Sequence, residues 1–172
     1  MAKTIIFDLD GTLIDSLADI HAALNRVVTM RGATPLDLMT VRNFIGKGSA
    51  NLVMRALTVK KLPNDVDSCA AGLRDFLGIY SKQAAKLTYV FEGARDSLIQ
   101  LSDQNFKLGI CTNKPYRPTK IVLDQFELSG FFQNVTCGDQ LASRKPSPEM
   151  LYHAMSALGS DSCLFVGDSE VD

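Results

Sequence analysis

The stretch Thr4-Ile5-Ile6-Phe7-Asp8-Leu9-Asp10-Gly11-Thr12-Leu13 decides how this chain is read. A short apolar run, rich in β-branched and aromatic residues, ends abruptly in two carboxylates and a glycine. A run of that length bounded by a turn residue suits a strand buried on both faces, as in a parallel sheet. Strand side chains alternate, so Asp8 and Asp10 point the same way while Leu9 points into packing. Two carboxylates converging at the C-terminal end of a central strand are costly unless something cationic sits beside them. Oxygen ligands select a hard divalent ion such as Mg²⁺. Gly11 lets the backbone turn sharply and approach a ligand closely.

Three readings compete for this stretch. A surface turn explains Asp10-Gly11 but neither Asp8 nor the apolar run. An EF-hand calcium loop fails, because aligning Gly11 with the loop glycine puts Ile6 at the first ligand position and Leu17 at the last. A phosphoryl-transfer site with Asp8 as nucleophile requires partners at later strand ends.

Composition narrows the class. With 172 residues, 46% hydrophobic and 22% charged, the chain can form one full core, or one core plus a small appended domain. A net charge of −1 gives no footprint of a nucleic-acid binder. No apolar run approaches membrane-spanning length and no signal-peptide pattern precedes the first strand, so a cytoplasmic location is expected. Cys69, Cys111, Cys137 and Cys163 are widely spaced, with no CxxC pair, and read as reduced thiols. His21 and His153 fall in helical patterns without a metal-spaced partner and read as structural.

From Ser16 to Leu87 the pattern is helical. Ser16 with Asp19 resembles an N-cap and an acid in the first turn, and Ile20, Leu24, Val27 and Val28 recur at helical spacing. Gly32 and Pro35 break that helix. Gly46-Lys47-Gly48-Ser49 leads into Leu52, Val53, Ala56 and Leu57, and Pro63-Asn64-Asp65 precedes a helix with Leu73, Phe76, Leu77 and Tyr80. Residues 16–87 therefore read as a small helical cap domain inserted into a core made of residues 1–15 and 88–172. From Val90 onward strands alternate with helices. The strands are Phe106 to Cys111, Asn134 to Cys137 and Cys163 to Val166. That alternation predicts an α/β fold with a doubly wound parallel sheet and ligands at the carboxyl ends of its strands.

At those strand ends the polar residues form a set. The first strand supplies Asp8 and Asp10, the second Thr112 and Asn113, and the last Asp168 and Asp172, with Lys145 in the loop after the third. Each has a bland alternative: Thr112-Asn113 as a helix cap, Lys145 as a surface lysine, Asp168 as a turn residue. Together they supply a nucleophile, an acid–base group, phosphate donors and metal carboxylates, which is what phosphoryl transfer needs.

The chain resembles the haloacid dehalogenase-like superfamily. The resemblance rests on Asp8-Leu9-Asp10-Gly11-Thr12, Thr112, Lys145-Pro146 and Gly167-Asp168-Ser169-Glu170-Val171-Asp172, and covers nearly the whole sequence. The helical insertion after the first motif is similar to the family's C1-type cap. Asp10, which the namesake dehalogenases lack, points to phosphate chemistry. Within the family, Ile45 to Ser49, Thr112-Asn113-Lys114-Pro115 and Lys145-Pro146-Ser147-Pro148-Glu149 look most like the phosphoglycolate phosphatases. The resemblance implies Asp8 as nucleophile, Asp10 as general acid–base, and Thr112 and Lys145 as phosphoryl holders. It implies Mg²⁺ held by Asp8, the Asp10 backbone carbonyl and Asp168, with Asp172 acting indirectly. Gly11, Asn113, Lys47 and Gly48 are candidate substrate contacts, Gly46 to Gly48 being equally readable as a helix connector. A small phosphorylated metabolite is the expected partner, without nucleic acid or membrane, for a monomer or homodimer. A sugar phosphomutase, a pyrophosphatase or a non-catalytic interaction protein stays open, and a receiver domain fits less well because it lacks a cap. The resemblance implies a continuation past the position of Asp172 with a helix, at least one more strand and a final helix. The last strand is therefore expected at an exposed sheet edge.

Overall fold

The computed structural model describes residues 4–172. In chain order its elements are β1 (Thr4–Phe7), β2 (Ile14–Asp15), α1 (Leu17–Thr29), α2 (Leu38–Arg42), α3 (Ser49–Val59), α4 (Val66–Tyr80), β3 (Tyr89–Val90), α5 (Ala94–Asp103), β4 (Lys107–Thr112), α6 (Tyr116–Gln125), a 3-10 turn at Ser129–Phe131, β5 (Asn134–Cys137), α7 (Glu149–Ala157) and β6 (Leu164–Val166).

β1, β4, β5 and β6 form one parallel sheet in the order β5-β4-β1-β6, so the strand that carries Asp8 at its end is internal. Residue alternation divides its faces. Ile5 and Phe7 join Leu108 and Ile110 of β4 under Leu98 of α5 and Val122 and Leu123 of α6. Ile6 and Cys111 turn the other way, onto Met150 and Ala154 of α7 and the following Leu158. Helices therefore cover both faces, which is the doubly wound arrangement that the alternating pattern predicts. At the β6 edge, Leu164 and Val166 are exposed while Phe165 between them packs against the α7 cluster. No helix among the described residues is long and apolar enough to cross a membrane.

The helices α1 to α4 lie between β1 and β4 in the chain. α1 buries Ile20, Ala23, Leu24, Val27 and Val28, the period-3.6 stripe seen in the sequence, and packs on α2, α3 and α4. Gly72 lets α4 cross α3 closely: a Cβ there would lie 2.8 Å from Val53 Cγ1. These apolar stripes merge with the α5–α6 face of the sheet into one continuous core.

Two features depart from the sequence reading. The helical segment is entered and left through a two-stranded antiparallel ribbon, β2 with β3, pairing Ile14 with Val90 and Asp15 with Tyr89. Strands of two residues carry too little periodicity to be read from sequence. Asp19 is also more than a helix-dipole acid. It is 1% exposed, and its Oδ2 accepts bonds at 2.8 Å from Leu87 N, Thr88 N and Thr88 Oγ1. It ties the exit of the helical segment to its first helix. Asp19→Ala would leave those amides unpartnered in a buried site, so a loss of about 3 kcal/mol is expected. Urea unfolding measures it, with exposed Asp67→Ala as the control expected within about 0.5 kcal/mol of the parent.

Candidate active site

The site begins where β1 runs out. Asp8 N still donates to Val166 O (2.8 Å), continuing the sheet pairing by one residue and fixing the direction of the Asp8 side chain. The chain then turns tightly, with the Leu9 carbonyl accepting from the amides of Leu13 (3.0 Å) and Ile14 (3.1 Å). Gly11 holds φ +96°, and a Cβ there would lie 2.3 Å from Asp168 Oδ2. The glycine is what lets the turn press against the acidic loop after β6.

That loop is internally braced. Asp172 Oδ2 accepts from Asp168 N (3.2 Å), Ser169 N (3.1 Å) and Ser169 Oγ (3.0 Å), while Oδ1 accepts from Lys145 Nζ (2.5 Å). Lys145 Nζ also pairs with Asp8 Oδ1 at 2.8 Å. Carboxylate oxygens of Asp8, Asp168 and Asp172 lie within 4.8 Å of one another. Asp172, read from sequence as an indirect participant, thus reaches the cluster itself.

Asp10 lies apart from this cluster, with its own partners. Ser16 Oγ donates to Asp10 Oδ1 (2.5 Å), and Lys114 Nζ reaches both carboxylate oxygens (2.8 and 3.0 Å). Ser16 stands at the N-cap position of α1, as its sequence reading has it, but its side chain makes no cap bond there. Lys114 is only 5% exposed; its Nζ also donates to Tyr80 OH (2.5 Å) and lies 4.9 Å from that ring's centroid.

Asn113 joins three segments. Its Nδ2 donates to Gly46 O (2.7 Å) and Lys145 O (3.0 Å), and its Oδ1 accepts from Lys145 N (3.0 Å). Neither it nor Thr112 caps α6, whose first amide, Tyr116 N, bonds Asp139 Oδ1 (2.8 Å). Thr112 is buried beside Asp8, Asp10 and Asn113, and Gly48 lines the same cavity. Lys47 is exposed and lines neither cavity described below. The structure thus brings together Asp8, Asp10, Gly11, Gly48, Thr112, Asn113, Lys145, Asp168 and Asp172, and leaves Lys47 outside.

Burial and charge set the protonation balance. Burial pushes the Asp8 carboxyl up to about 6, against the Lys145 ammonium, which pulls it down. Burial opposes ionisation of Asp172 too, yet the hydrogen bond and charge of Lys145 hold it below the usual carboxylate range. Asp168 is raised by burial and by Asp172. Burial disfavours the Lys114 ammonium, but Asp10 and Tyr80 overcome this and raise it above the ordinary lysine range. Four carboxylates (Asp8, Asp10, Asp168, Asp172) thus face two lysines, leaving two negative charges. An all-oxygen donor set with that excess fits a hard divalent cation.

Two cavities meet at Asp8 and Asp10. One, of about 50 Å³, is walled by Ile20, Ile45, Leu52, Phe76 and Tyr80 and carries Lys114 as its cation. The other is a cleft of about 400 Å³ bordered by Arg42, Lys145, Asp168 and Asp172. Lys114, Tyr80, Ser16 and Arg42 are the site residues that sequence reasoning missed. Lys114 stands inside Thr112-Asn113-Lys114-Pro115, and its place after a strand end was the available signal.

A family model described as haloacid dehalogenase-like hydrolase matches residues 5–172. A phosphoglycolate phosphatase of Cereibacter sphaeroides is 39% identical over 168 residues, covering 98% of this chain and 77% of the relative. That of Rhodobacter capsulatus is 38% identical over 172 residues, covering all of this chain and 78% of the relative. Among solved structures, a predicted phosphoglycolate phosphatase from Haemophilus somnus superposes with a TM-score of 0.92 at 28% identity, covering 99% of this chain and 79% of that one. A β-phosphoglucomutase from Clostridium difficile shares the fold, with a TM-score of 0.80 at 19% identity over 97% of this chain and 75% of its own.

Proposed function

Since this chain belongs to the haloacid dehalogenase-like hydrolase family, we propose that it hydrolyses 2-phosphoglycolate to glycolate and inorganic phosphate through an aspartyl-phosphate on Asp8. The chain is a phosphatase by its family and its relatives. The observation that carries the mechanism is the separation of its two neighbouring carboxylates. Asp8 lies against Lys145 in the acidic cluster, while Asp10 is held apart by Ser16 and Lys114.

Asp8 Oδ attacks phosphorus, the bond from phosphorus to the leaving oxygen breaks, and Asp10 gives that oxygen a proton. A water then attacks the acyl-phosphate, Asp10 takes its proton, and phosphate leaves as the Asp8 carboxylate is restored. Thr112 and Lys145 hold the phosphoryl oxygens. Asp8, Asp168, Asp172 and the Asp10 carbonyl would hold Mg²⁺, which supplies charge neutralisation for the transferring phosphoryl group. Residues 16–87 act as the cap, with apolar side chains from α1, α3 and α4 walling the small cavity and excluding water.

A small cavity beside the acid suits a two-carbon leaving group. Phosphate release measured across 2-phosphoglycolate, ethyl phosphate, p-nitrophenyl phosphate, a glucose phosphate and pyrophosphate tests the reading. The highest kcat/KM is expected for 2-phosphoglycolate, and a higher value for a sugar phosphate or pyrophosphate would overturn it. Lys47→Ala is expected to change kcat/KM by less than about threefold on every substrate, because exposed charges contribute little. A selective loss on 2-phosphoglycolate would return Lys47 to the site.

A further inference from the structure

Lys114 is held more firmly than a charge-balancing lysine requires. Its amide donates to Thr112 Oγ1 (3.2 Å) and its carbonyl accepts from Gly138 N (3.1 Å), so its backbone is fixed at the end of β4. At the other end, Nζ meets Asp10 Oδ1 and Oδ2, Tyr80 OH and, at 3.4 Å, Ser16 Oγ. Tyr80 is 2% exposed and stacks on Phe76, with ring centroids 5.3 Å apart. Both aromatic rings belong to α4, whereas Lys114 and Asp10 belong to the sheet side of the site. Asp10 Oδ1 takes the Ser16 and the shorter Lys114 bond, leaving Oδ2 with the single 3.0 Å contact from Lys114 among the described residues. The carboxyl therefore has one oxygen held by two donors and the other by a single, longer bond.

We infer that Lys114, locked by Tyr80, is the positioning residue that aims Asp10 at the leaving oxygen, and that seating of α4 on the core sets this aim. The inference rests on the reading of Asp10 as general acid. Unlocking Lys114 frees the side chain of Asp10, and a misplacement of about 1 Å can lower a rate by about 10². The effect falls on substrates whose leaving group needs the proton. An alkoxide needs it; p-nitrophenolate departs without it.

The test is the ratio of kcat/KM for ethyl phosphate to that for p-nitrophenyl phosphate, taken within each variant so that the folded fraction cancels. Lys114→Met is expected to lower the ratio at least about tenfold. Tyr80→Phe, which keeps the ring and its packing, should lower it about threefold and decides the matter if Lys114→Met fails to fold. Equal losses on both substrates would overturn the inference in favour of a purely structural lysine. An unchanged ratio with a selective loss on 2-phosphoglycolate would overturn it in favour of a lysine that binds the substrate carboxylate. Asp10→Asn in the same assay separates the two levels. If it leaves the ratio intact, the acid assignment fails; if it collapses the ratio and the Lys114 and Tyr80 variants do not, only the positioning role fails.

Discussion

Asp8→Asn is expected to abolish turnover, by at least about 10⁴-fold, in a protein that remains folded. The amide has no anionic oxygen to attack phosphorus, and among the described residues no other carboxylate at the β1 end pairs with Lys145, which meets Asp8 at 2.8 Å. The fold should tolerate the change. Burial holds the Asp8 carboxyl at about 6, above its ordinary 3.8. A carboxyl raised in the folded state binds its proton more tightly there, so stability falls as pH rises from about 4 to about 6 and stays lower above. At neutral pH the ionised, metal-free site is under strain that a neutral amide relieves, while Lys145 keeps Asp172 as its partner. Metal-free Asp8→Asn should therefore melt no lower than the parent by calorimetry. Retained Mg²⁺-dependent turnover in that variant would remove Asp8 from its role.

Asp10→Asn is expected to cost about 10²–10⁴-fold on alkyl phosphates and much less on p-nitrophenyl phosphate. Its structural consequence differs from that of Asp8. Asp10 is the ion-pair partner of Lys114, a side chain 2% exposed, so the substitution leaves a buried ammonium without its counter-charge. Breaking such a pair from one side destabilises by about 3–5 kcal/mol. The two aspartates should thus behave oppositely in thermal melts: Asp8→Asn neutral or stabilising, Asp10→Asn destabilising. A stable Asp10→Asn with unaltered leaving-group dependence would contradict both the acid role and the pairing.

The main lines of the site were legible because each key residue follows a strand end. The apolar run into Asp8 and the later runs into Thr112 and Asp168 announce their strands, and parallel strands put their carboxyl ends on one edge. Contacts made by side chains across long separations were not legible. Tyr80 reads as one more apolar position of α4, and only folding places its hydroxyl on Lys114. Ser16 resembles a helix cap by type and spacing, yet its hydroxyl is spent on Asp10. Asp19 has the position of a first-turn acid, but the returning chain at Leu87 and Thr88 turns it into a buried acceptor. Lys47 is a different case: in the loop from Gly46 to Ser49 it reads as a cation for a substrate carboxylate, and the loop leaves it exposed while the Gly46 carbonyl meets Asn113.

The most direct test of the account is to trap the covalent intermediate. The protein with Mg²⁺ is mixed with 2-phosphoglycolate carrying a labelled phosphoryl group and quenched in acid within one turnover. Label is expected on the protein, lost on treatment with hydroxylamine and mapped by mass spectrometry to the peptide containing Asp8. Phosphate release in that turnover with no labelled protein, or with the label on a residue other than Asp8, would contradict it.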